Sequence, residues 1–184
     1  MNNQKTFNSI GPMAYFLTFH TYGSWFHGEE QGSVNRKLLN IPGTPFIKSN
    51  EELANNERNS CKQSPVILNW KQRKLIEQTI SDVCGYNRWI LHAVNARMEH
   101  VHVVLTAIKQ PDAVMNSLKA WCTRKLRENQ LLSDKIKPWS RHGSTRYLWE
   151  ENALHDVCRY VSEFQDDKPG MVHQEALLNR RASE

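Results

Sequence analysis

A chain of 184 residues is long enough for one domain with a full core and short for two, so a single domain spanning residues 1–184 is expected. Lys and Arg number 24 against 19 Asp and Glu, and a pI of about 9.1 favours a polyanionic partner. Cys61, Cys84, Cys122 and Cys158 form no C-x-x-C pair, which argues against a zinc ribbon or disulfide framework and for reduced thiols in the cytoplasm. No run approaches the length needed to cross a bilayer, so no membrane role is expected.

Met13-Ala14-Tyr15-Phe16-Leu17-Thr18-Phe19-His20 has strand composition and ends in the turn-like Thr21-Tyr22-Gly23-Ser24. From Phe26 to about Leu68 the chain is polar and rich in Gly and Pro, and about 27–68 reads as an insertion in which Asn50 to Asn55 can start a short helix. Asn69 is a good N-cap for a helix to about Tyr86, with Gly85 where it would stop. Trp89 to Ala96 and Met98 to Leu105 read as two strands of a tight hairpin. A helix from Asp112 to about Asn129, begun by Pro111, carries an apolar stripe through Val114, Met115, Leu118, Trp121, Cys122 and Leu126. Arg146 to Trp149 is a short candidate strand, and a last helix runs from about Asn152 to Phe164. Asp166 to Gly170 breaks that helix, and about 171–184 reads as a peripheral tail. The order β, α, β, β, α, β, α suits a ferredoxin-like (RRM-like) α+β layout: an antiparallel sheet of about four strands with helices on one face, plus a C-terminal helix.

Side chains alternate faces along a strand, so His100 and His102 share one face of their strand while Val101, Val103 and Leu105 can bury on the other. Paired strand histidines often only cover a sheet surface, but two imidazoles fixed by strand geometry also make half of a metal site at little ordering cost. Tyr160 lies at the margin of the last helix's apolar stripe, where a ring can pack while its hydroxyl meets a cleft. Gln165, beyond it, offers a neutral oxygen to a metal.

His100-Val101-His102, followed by Tyr160 on a helix and then Gln165, resembles the single-tyrosine HUH transposases. Phe19-His20-Thr21-Tyr22-Gly23-Ser24-Trp25 and Gly143-Ser144-Thr145-Arg146-Tyr147-Leu148-Trp149 resemble the branch related to REP-associated tyrosine transposases. The resemblance covers Ala14 to Gln165 apart from the insertion. It implies a metal-dependent endonuclease that nicks and rejoins single-stranded or hairpin DNA, commonly as a homodimer. In such a family the two histidines and an amide, here Gln165, hold Mg2+ or Mn2+, and the tyrosine, here Tyr160, becomes linked to the 5′ phosphate and frees a 3′ hydroxyl. The family's amide lies four residues after the tyrosine, where this chain has Phe164. Either the helix unwinds before Gln165, or the third ligand is another group or water. Glu99 and Asp156 are possible assistants.

For DNA contact the candidates are Arg124, Lys125, Arg127, Arg141, Arg146 and Arg159. Trp25, Trp139 and Trp149 could stack on unpaired bases, with core packing the expected fate of at least one. Two rival readings are a catalytically inactive, domesticated hairpin-binding module of the same fold, which binds without cleaving, and a metal-binding structural protein with no salt-dependent affinity for DNA.

Overall fold

The computed structural model describes residues 11–24 and 50–163. The first half of the expected insertion, Trp25, Phe164, Gln165 and the expected tail lie outside the described residues. The elements are β1 (Ala14–Thr21), α1 (Glu51–Asn59), α2 (Trp70–Asn87), β2 (Ile90–Ala96), β3 (His100–Thr106), α3 (Pro111–Glu128), β4 (Trp139–Leu148) and α4 (Glu151–Glu163). The short helix anticipated near Asn50 is therefore present as α1, with Asn50 Oδ1 accepting from Leu53 N at 3.1 Å.

The four strands form one antiparallel sheet in the order β2-β3-β1-β4, the arrangement expected of a ferredoxin-like fold. β1 and β3 are the central strands, and both of their faces bury. Tyr15, Leu17, Phe19, Val101, Val103 and Leu105 point to one side and pack with Ile76, Ile80 and Val83 of α2 and Val114, Leu118, Cys122 and Leu126 of α3. Ala14, Val104 and Leu148 point to the other side, together with Ala93, and pack under Val157 and Val161 of α4. The two long helices thus share one face, and the helix that carries Tyr160 covers part of the other.

Local chemistry explains the boundaries. Asn69 and Gln72 make a reciprocal capping box at the start of α2, with bonds of 2.8 and 3.0 Å. The helix does not stop at Gly85; it continues to Asn87, and Arg88 takes the left-handed conformation at φ 57°. The chain has to turn there so that Trp89 can pack against the core. β4 is longer than the four-residue segment expected, because Ser140, His142, Ser144 and Arg146 leave its edge position without an apolar alternation to read.

Two glycines should respond oppositely to alanine. A Cβ on Gly143 would meet Met115 Sδ and the Thr18 carbonyl oxygen, each at 2.5 Å. Gly143→Ala therefore costs about 1–3 kcal/mol in a urea melt, since the strand and α3 must separate. At Gly85 a Cβ meets nothing within 4 Å, and Gly85→Ala raises stability by about 0.5–1 kcal/mol through helix propensity. Equal responses at the two sites would contradict the packing described.

Candidate active site

The site lies on the sheet face that α4 only partly covers. Three rows of cross-strand neighbours build it. The first is apolar: Phe16 on β1, Val104 on β3 and Ala93 on β2. The second is polar: Thr18, His102 and Asn95. The third pairs His20 with His100 at the strand ends.

His102 sits among these rows, only 7% exposed. Its ring centroid lies 4.6 Å from that of His100, 5.3 Å from Phe16 and 5.8 Å from Tyr160. Its Nδ1 is hydrogen-bonded to Thr18 Oγ1 at 2.9 Å. Tyr160 packs edge-on against Phe16, 6.4 Å between centroids, and keeps 44% of its surface exposed. Its helix is tied down one residue later, where Asn95 Nδ2 donates to the Val161 carbonyl at 2.9 Å. A buried amide of β2 thus anchors this part of α4 and holds the tyrosine over the sheet.

The histidine pair is held from the β1 side as well. Thr21 N, Thr21 Oγ1 and Ser24 Oγ all donate to the carbonyl of Glu99, at 2.8, 3.1 and 3.0 Å. This clasp joins the end of β1 to the residue before His100. Gly23 makes the turn possible at φ +74°, where a Cβ would also press on Pro65 at 3.0 Å. The β1–β4 pairing is irregular between Phe19 and Thr21, opposite His20, and its ring stands 5.5 Å from that of His100.

Burial sets the electrostatics. It is the main cause that lowers His20 to about 4, His100 to about 3 and His102 to about 4. Nearby positive charge adds to this: Lys119 at His20; His102, then His20, then Arg97 at His100; and Arg97, then His20 at His102. At neutral pH all three imidazoles are neutral, the form that can donate a lone pair to a metal. Among the described residues, no group of three or more His, Cys, Asp and Glu side chains is arranged to enclose a metal ion. Two neutral imidazoles on one strand face are a fitting partial donor set for a divalent ion; Gln165, the expected third ligand, lies outside the described residues.

These lowered values fix the sign of a pH effect. The unfolded chain takes up protons near pH 6.5 that the folded site refuses. The stability that the neutral site contributes is therefore complete above pH 6.5 and is withdrawn as pH falls toward 4. With a chelator present, the first pH unit below 6.5 costs about 1 kcal/mol for each such histidine. Urea melts at pH 7.5 and 5.5 measure it, and the loss is smaller in His20→Gln. A flat profile in the parent protein would show that the three rings protonate freely.

No family model matches the chain, and no curated protein matches it. Among solved structures, a crystal structure of a "putative transposase" from Deinococcus radiodurans R1 aligns with 89% of this chain and 97% of its own, at 14% identity and a TM-score of 0.42.

The predicted basic residues divide between the two sides of the sheet. Arg146 pairs with Phe16 across β1 and β4, so it shares the site's face and is exposed. Arg159 adjoins Tyr160 and is ion-paired with Glu163 at 3.6 Å. Arg141 is exposed in the irregular part of β4. Arg124, Lys125 and Arg127 lie on α3, across the sheet from the histidines. There Arg124 stacks on Trp121, Lys125 pairs with Glu128, and Arg127 donates to the carbonyls of Asp134 and Ile136. Of the two described candidates for base stacking, Trp139 packs inward: it meets Phe19 edge-on at 5.1 Å and its Nε1 donates to the Lys119 carbonyl and Thr123 Oγ1. Trp149 is 61% exposed and stacked with Tyr147. Asp156 is exposed on α4, one turn before Tyr160. Among the described residues no helix is long and apolar enough to cross a membrane.

His20 and Thr18 were not among the predicted site residues. Their signal lay in the strand alternation of β1, which puts both on the face opposite Leu17 and Phe19. Their partners are 80 or more positions away in sequence, at His100 and His102, and only the β1–β3 register brings them together.

Proposed function

We propose that this chain is a single-domain, metal-dependent endonuclease of the transposase type, which nicks and rejoins single-stranded or hairpin DNA through Tyr160 and works as a homodimer. The observation that carries the reading is the placement of an exposed tyrosine 5.8 Å from a buried, neutral histidine whose strand neighbour His100 faces the same way. His100 and His102, with Gln165 as third ligand, hold Mg2+ or Mn2+; imidazole donors favour Mn2+ of the two. A divalent ion there supplies Lewis-acid stabilisation of charge on the scissile phosphate.

The chain's own residues do the rest. Tyr160 Oη gives up its proton and forms a bond to phosphorus, the P–O3′ bond breaks, and the departing 3′ oxygen takes a proton to become a hydroxyl. The new phosphotyrosine keeps the bond energy for rejoining to another 3′ end, so no nucleotide cofactor is needed. Arg146 and Arg159, on the tyrosine's side of the sheet, contact the phosphates of the strand being cut. Arg124, Lys125, Arg127 and Arg141 form more distant contacts with the hairpin.

End-labelled hairpin-bearing single strands, incubated with the protein and Mn2+ and run on denaturing gels, test the reading. The 3′-labelled piece should migrate with the protein, and the 5′-labelled piece should run free and be extendable by a polymerase. Hairpin binding with no cleavage under any divalent ion would favour the inactive binding module instead.

A further inference from the structure

We propose that Thr18 is a positioning residue that holds Nδ1 of His102 and so commits Nε2, and only Nε2, to the metal ion. The proposal deepens the function argued above and rests on it.

Thr18 is 9% exposed and His102 7%, and they are direct cross-strand partners on β1 and β3. A hydroxyl at the centre of a buried sheet face is costly unless bonded, and valine would fill the same volume in the same strand rotamers. The row beside it shows the alternative, since Phe16, Val104 and Ala93 are all apolar. The hydrogen bond that Thr18 makes is to His102 Nδ1, at 2.9 Å. On the other flank of His102, Asn95 spends its Nδ2 on the Val161 carbonyl.

The consequence is one of nitrogen choice. A free imidazole can ligate through either nitrogen, and its two tautomers are close in energy. With Nδ1 engaged by Thr18, the ring offers a partner only Nε2. Once Nε2 gives its lone pair to an ion, Nδ1 has to carry the proton and donate it to Thr18 Oγ1. An outer hydrogen bond of this kind fixes ring orientation and raises ligand basicity, and its loss typically costs about 10–100-fold in metal affinity.

The test is Mn2+ binding by the full-length protein, followed by the loss of the free-ion EPR signal at pH 7.5. Thr18→Val should weaken affinity by about 10–100-fold, and Thr18→Ser, which restores the hydroxyl, should bring it back to near the parent value. Parent-like binding by Thr18→Val, or equal weakening in both variants, would overturn the proposal. If Thr18→Val fails to fold, the ring nitrogens of His102 in the parent protein decide: nitrogen NMR with Mg2+ present should show a proton on Nδ1, and a proton on Nε2 would overturn it. A parent protein that binds no divalent ion removes the underlying functional reading, a different result from binding that ignores residue 18.

Discussion

Tyr160→Phe should abolish the protein-linked DNA product expected of the proposed reaction while leaving the fold, the metal affinity and hairpin binding near those of the parent. The substitution removes one oxygen and keeps the ring, so the edge-on contacts with Phe16 and His102 survive. The ring is 44% exposed, and its replacement changes little buried surface; the stability change should stay within about 0.5 kcal/mol. The loss of strand cleavage, by contrast, should be at least about 10³-fold if Tyr160, the tyrosine that packs against His102, forms the covalent bond. Denaturing gels measure the product and urea melts the stability. Cleavage that persists at a tenth of the parent rate would mean that water or another side chain attacks phosphorus.

His102→Ala acts on several properties together. The imidazole is buried between Thr18, Asn95 and Phe16, so its removal leaves the Thr18 hydroxyl without its partner as well as a cavity. A cost of about 2–4 kcal/mol follows from those two effects combined. If His102 is a ligand, Mn2+ affinity should fall by more than the 10–100-fold typical of outer-shell changes. The acid sensitivity also weakens, because one of the three low-pKa rings is missing. A variant that folds and binds Mn2+ like the parent would exclude His102 from the metal site.

The sequence made the sheet and half of the site legible. The alternation of His100, His102 against Val101, Val103 and Leu105 fixed the faces of β3, and the βαββαβ order implied its central position. The Asn69 capping box set where α2 begins. What stayed hidden depends on distances between strands. β4 could not be seen in full because an edge strand with one open face has no apolar period over Ser140 to Arg146. His20 and Thr18 gained meaning only from register, since a shift of one residue would have turned both to the other face. The basic residues illustrate a third limit. A helical pattern shows that Arg124, Lys125 and Arg127 oppose an apolar stripe, but not which side of the sheet receives that stripe.

If Tyr160 is the nucleophile, the peptide that carries it gains the mass of the DNA end it has attacked. The protein is incubated with a hairpin-bearing single strand and Mn2+, the DNA is trimmed by nucleases, and the digest is mapped by mass spectrometry. A peptide containing Tyr160 should be heavier by a 5′-phosphorylated nucleotide remnant, absent without the divalent ion and absent in Tyr160→Phe. A remnant on another tyrosine, such as Tyr147, or cleaved DNA with every peptide unmodified, would contradict it.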